Sequence, residues 1–84
     1  MQLSPLATAI LRRYYDKTRI AGSARAGYNL RRRAIFWASG ESPSEEDRAL
    51  AELVEQGLVK PNEAADRYAL TAAGAELLGR LFGP

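Results

Sequence analysis

Three consecutive arginines, Arg31, Arg32 and Arg33, are the densest concentration of chemistry in the chain. A guanidinium is permanently charged, and its planar fork of donors fits phosphate or carboxylate. Consecutive helical side chains fan about 100° apart, so on a helix these three cannot share one face. At least one is expected along the core edge with its stem packed. Arg25, Tyr28 and Asn29 stand close by in sequence. The Tyr28 hydroxyl is a candidate for a backbone phosphate, and Asn29 for a base or phosphate contact. A second cluster, Glu45-Glu46-Asp47 followed by Arg48, has the ligand type of a hard-cation site, but carboxylates in that position more simply complement a helix start. No metal is expected. The chain has neither cysteine nor histidine. Disulfides, thiol nucleophiles and the usual zinc sites are therefore excluded, and no serine has a histidine to activate it. Gly22-Ser23-Ala24-Arg25-Ala26-Gly27 lacks the lysine and the spacing of a phosphate-cradling loop. No enzyme, cofactor or small-molecule substrate is expected.

Charge is distributed unevenly along the 84 residues. Residues 1–40 hold eight basic groups and one acid, Asp16, for a sum of +7; residues 41–84 hold four basic groups and nine acids, for a sum of −5. A split of this kind points either to a basic face for phosphate or an acidic partner, or to two halves of one domain that neutralise each other. At 9.2 kDa the chain has room for one core, so a single domain over residues 1–84 is expected. Its 46% hydrophobic and 26% charged residues fit a soluble globular protein. No uncharged stretch is long enough to cross a bilayer, and the first residues show no basic head with an apolar run behind it. A cytoplasmic location without membrane contact is the expectation.

The elements that must position these groups can be read from periodicity and punctuation. Ser4-Pro5 reads as a helix start, and Leu6, Ile10 and Tyr14 make a helical stripe with Leu3 and Leu11 alongside, which predicts a helix near 5–17. Of the adjacent Tyr14 and Tyr15, one is expected to face inward and one outward. Residues 18–28 read as a loop with room for a short helix or strand. Asn29 would cap a second helix over about 30–39, stopped by Gly40, with Leu30, Ala34 and Trp37 on one face and Ile35 and Phe36 widening it. Phe36 and Trp37 are expected in the core, with base stacking beside the arginines as the alternative. Three cations in the first turn of that helix would oppose its dipole. Ser42-Pro43-Ser44-Glu45 is a capping-box pattern, and Leu50, Leu53, Val54 and Leu58 recur at helical spacing, predicting a third helix at 43–56 closed by Gly57. Leu58–Lys60 and Arg67–Leu70 read as two short strands around a polar connection at 61–66. Thr71 would cap a final helix with Leu77, Leu78, Leu81 and Phe82 as its apolar positions. The fold class is then mainly α with a small antiparallel β-hairpin.

The stretch from Leu50 to Leu78 resembles the second half of a winged helix-turn-helix domain. It is similar to the MarR-type and PadR-type bacterial regulators in Leu53-Val54-Glu55-Gln56-Gly57-Leu58-Val59 and in Tyr68-Ala69-Leu70-Thr71-Ala72-Ala73-Gly74. The resemblance covers about a third of the chain. It implies double-stranded DNA as a partner and transcriptional regulation as a role. It also implies a recognition helix over 43–56, and a wing in which Lys60 and Arg67 bracket a tip holding Glu63 and Asp66. Such domains act as dimers in many cases, so a homodimer or another protein partner is expected too. Base edges would then meet Ser44, Glu45, Glu46, Asp47 and Arg48, whose carboxylates repel phosphate. Three alternatives follow. The acidic helix is a protein-docking face; or DNA is held through phosphates by Arg25, Arg31, Arg32 and Arg33; or the frame shifts, making 20–27 the first helix and Asn29–Ala38 the reading helix.

Overall fold

The computed structural model describes residues 2–37, 39–62 and 66–84. Among these the chain runs α1 (Pro5–Ala21), β1 (Asn29–Arg31), α2 (Arg32–Ile35), α3 (Pro43–Glu55), β2 (Val59–Asn62), β3 (Arg67–Leu70) and α4 (Ala72–Phe82). It is mainly helical, with a three-stranded antiparallel sheet in the order β1-β3-β2. The expected hairpin is present as β2 and β3, and β1 adds a third strand on the far side of β3.

The helix starts follow the local chemistry. Ser4 Oγ accepts from the Ala7 amide at 3.2 Å, with Pro5 in the first helical position. Ser42 Oγ accepts from Glu45 at 3.3 Å, and Thr71 Oγ1 from Gly74 at 3.0 Å. Helix α1 runs past the expected end at residue 17. Thr18, buried, donates its hydroxyl to the Tyr14 carbonyl at 2.8 Å and so stays within the helix rather than breaking it. Gly22, at φ 64°, makes the left-handed stop.

The second helix predicted over 30–39 is not formed as such, and neither is the shifted frame with helices at 20–27 and 29–38. Asn29, Leu30 and Arg31 are extended and pair with Ala69, Tyr68 and Arg67. The ladder continues outward through Gly27 N–H to Leu70 O at 2.7 Å and Arg32 N–H to Asp66 O at 3.0 Å. Asn29 caps nothing; its side-chain amide donates to the Gly27 carbonyl at 3.2 Å. Helix α2 is left with one turn. It has no side-chain cap at Arg31 and no acid in its first turn. Pairing with β3 offers these backbone groups better partners than an uncapped helix.

Buried side chains from every element form one cluster, including Ile10, Leu11 and Tyr14 of α1, Leu30 of β1, Leu53 of α3, Leu70 of β3 and Leu78 of α4. Tyr14 donates its hydroxyl to the Tyr68 carbonyl at 2.5 Å, pinning α1 to β3. Burial, with a smaller contribution from Tyr68, pushes its pKa well above the ordinary tyrosine value. Tyr15 is also buried, at 7% exposure, so neither tyrosine faces outward. Phe82 covers it at 5.3 Å between ring centroids, and the guanidiniums of Arg12, Arg19 and Arg25 lie 5.6, 5.4 and 5.1 Å from its ring.

The junction of α3, β2 and α4 accounts for the Gly-Leu-Val and Leu-Thr-x-x-Gly spacing. Thr71 Oγ1 lies 2.6 Å from the Gly57 carbonyl and 3.0 Å from that of Leu58, so one hydroxyl ties the exit of α3 to the start of α4. Gly57 takes φ 73° in this turn. At Gly74 a Cβ would overlap the Leu58 carbonyl oxygen and lie 2.7 Å from Leu70 Cδ1; only glycine lets α4 approach the strand this closely. At the other margin of the sheet β2 carries Pro61, opposite Tyr68.

Candidate functional site

The front-half cations divide into three groups. Arg12, Arg19 and Arg25 lie over the Tyr15 ring, and Arg25 also donates to the Gly83 carbonyl at 3.1 Å. Arg32 belongs to α3. Its guanidinium pairs with Asp47 and, at 3.5 Å, with Glu46, and reaches the Pro43 carbonyl at 3.4 Å. These carboxylates, through a hydrogen bond first, hold the Arg32 guanidinium even further above its already high pKa. Among the described residues it is the one front-half cation in an ion pair with a back-half carboxylate.

The remaining cations converge. An open recess of about 590 Å³ lies where α1, β1, α2 and β3 meet, with Leu30 and Ala34 among its lining residues. Helix α1 supplies Arg13 and Lys17, which share a face at i, i+4 spacing. Strand β1 supplies Arg31 beside Asn29, α2 supplies Arg33, and β3 supplies Arg67. No described lining residue is acidic. Arg13 is held in place by its Nε–H bond to the Ala34 carbonyl at 3.0 Å. Arg31 and Arg67 are direct cross-strand partners. Like charges in that relation repel, and among the described residues neither has an ion-pair partner. The Arg67 Nε–H is buried without an acceptor among the described residues.

Trp37 stands at the rim of this recess and is 68% exposed, against the expectation of a core position; Phe36 is the buried one, at 8%. With α2 ending at Ile35, the register that would have turned the indole inward is lost. Phe36 takes that place in the core, under the Arg32 guanidinium at 5.7 Å.

Of the residues singled out in the sequence, Asn29, Arg31, Arg33 and Arg67 are brought together, whereas Arg25, Tyr28, Arg32 and Lys60 do not line the recess. Tyr28 is half-buried and packs against the core. Lys60 lies opposite Ala69, and strand alternation puts it on the same sheet face as Arg31 and Arg67. Glu63 of the expected wing tip lies outside the described residues. Arg13 and Lys17 join the site although no motif marks them in the sequence. Their i, i+4 spacing was the available signal.

The acidic cluster resolves differently. Glu46 and Asp47 serve Arg32, and so clamp α2 to the first turn of α3. Glu45 raises the Glu41 pKa, first because a protonated Glu41 can donate a hydrogen bond to its carboxylate and then through its charge. Glu41, Glu45, Arg48 and Glu52 line a smaller recess of about 310 Å³ beside Ser4, whose amide donates to Glu52 at 2.8 Å. Among the described residues no helix is long and apolar enough to cross a membrane. Comparison with protein-family models, curated proteins and solved structures finds no match.

Proposed function

We propose that this chain is a small winged helix-turn-helix protein that binds nucleic acid and acts in transcriptional regulation. Its polyanion contact is then the recess between α1, β1, α2 and β3. The fold part of the reading is supported by the element order, with one strand between the first two helices, and by the β1-β3-β2 sheet. In this reading α2 and α3 form the helix-turn-helix pair and β2–β3 the wing. The functional part is carried by one observation: five cations from four elements line a single recess without a carboxylate among its described residues. Cations held this close together, none of them in an ion pair among the described residues, raise the local concentration of a phosphate backbone and release its counterions on contact. The first turn of α3 is not the contact surface in this reading, because two of its carboxylates are engaged with Arg32.

A second reading, docking of a basic protein partner, is favoured by the acidic recess of Glu41, Glu45 and Glu52. The two separate in one binding experiment with labelled duplex DNA. The nucleic-acid reading expects affinity that falls steeply with salt and collapses when Arg31, Arg33 and Arg67 are changed to Ala together. Affinity that survives those changes, or duplex binding that ignores salt, refutes it. A protein contact abolished by Glu45→Lys, with DNA binding absent, establishes the rival.

A further inference from the structure

We infer that the recess takes an unpaired nucleotide, its base stacked on Trp37 and its phosphates held by the arginines; the ligand class of the site is single-stranded nucleic acid. The inference rests on the proposed nucleic-acid reading and narrows it. An indole costs free energy to leave in water, and here it is 68% exposed beside a cluster of cations. That combination of a stacking plane with a positive groove is how single strands are held, because every base has a π-face and every nucleotide a phosphate. The recess volume, about 590 Å³, lies in the range of small-ligand sites, roughly 300–1,000 Å³. Ala34 and the Trp37 ring give the lining an apolar part that suits a base, while Arg31 and Arg67, a like-charged pair with no ion-pair partner among the described residues, suit a phosphate between them. A paired base in an intact duplex has both faces covered by its neighbours and cannot use the indole.

Trp37 is the chain's only tryptophan, so its fluorescence reports on this site directly. The full chain is titrated with a thymidine oligonucleotide, a blunt duplex of equal length and inorganic polyphosphate at one salt concentration. The expected result is saturable quenching by the single strand, with little from polyphosphate. Trp37→Ala, read by anisotropy of labelled oligonucleotide, is expected to weaken the single strand about 5- to 150-fold, the span expected for losing one base stack. Duplex affinity should stay within about twofold. Trp37→Phe, which keeps a ring, should recover much of the loss, and circular dichroism confirms that both variants fold. If polyphosphate quenches and competes as well as the oligonucleotide and Trp37→Ala changes neither affinity, stacking is refuted while the basic-face reading stands. If neither nucleic acid binds, both fall together. A blue shift on phosphatidylglycerol vesicles without any response to oligonucleotides also overturns the inference, in favour of a membrane surface.

Discussion

Neighbouring arginines in this chain should behave in opposite ways, and the difference is measurable. Arg31 and Arg33 line the basic recess, whereas Arg32 between them is paired with Asp47 and Glu46. For duplex DNA the logarithm of affinity falls with that of salt with a slope of about −0.9 per phosphate neutralised. If all five recess cations engage, the slope is about −4.5, so raising salt from about 50 to 200 mM weakens binding about 500-fold. Arg31→Ala or Arg33→Ala should each flatten the slope to about −3.6, and the triple change with Arg67→Ala to about −1.8, where the same salt step costs about 12-fold. Arg32→Ala should leave the slope near its original value. It should instead lower stability by roughly 0.2–1 kcal/mol, the range for a solvent-accessible ion pair. Anisotropy titrations at four or five salt concentrations give the slopes, and urea melts give the stabilities. A slope that Arg32→Ala reduces as much as its neighbours do would refute the division of labour drawn here. So would a slope that no single change alters.

Three further predictions concern the frame that holds the recess. Gly74→Ala should cost about 1–3 kcal/mol in a urea melt, since the new methyl meets backbone at Leu58 and a packed leucine rather than a flexible side-chain end; an unchanged midpoint would refute the close approach of α4. Thr71→Val keeps the shape but removes the oxygen that caps α4 and the proton that ties it to Gly57 and Leu58, and should cost about 0.5–2 kcal/mol. Tyr14→Phe should cost about 0.5–1.5 kcal/mol at neutral pH. It should also remove an alkaline dependence: the folded pKa lies above the unfolded one, so the wild-type stabilisation is complete below about pH 10 and is lost as pH rises beyond it. Equal alkaline melting profiles for Tyr14→Phe and the wild type would show that this hydroxyl does not carry the effect.

Most of what depended on chemistry within three or four residues was legible in the sequence, although the Thr18 bond back to Tyr14 that carries α1 past residue 17 was not. Ser4, Ser42 and Thr71 each cap a helix through an amide three positions on, and strand Arg67–Leu70 announced itself by alternation. What depended on distant partners was not. The segment Asn29–Arg31 carries apolar spacing that a helix also satisfies, and its strand exists because Arg67–Ala69 lie alongside. Tyr15 is buried by Phe82 from the opposite end of the chain. In the site, the net basic character of the front half was visible, but its partition was not. Nothing local distinguishes Arg32, which turns to α3, from Arg31 and Arg33, and the exposure of Trp37 followed from where α2 ends.

Pro61 bears on how copies of this chain can share a crowded solution. Strand β2 is the last in the sheet, and a proline there has no amide hydrogen to offer an incoming strand. At the opposite margin β1 is three residues long and closes on a cation, Arg31. Neither border offers another polypeptide a long, unbroken row of donors and acceptors, so both ends of the sheet discourage strand addition.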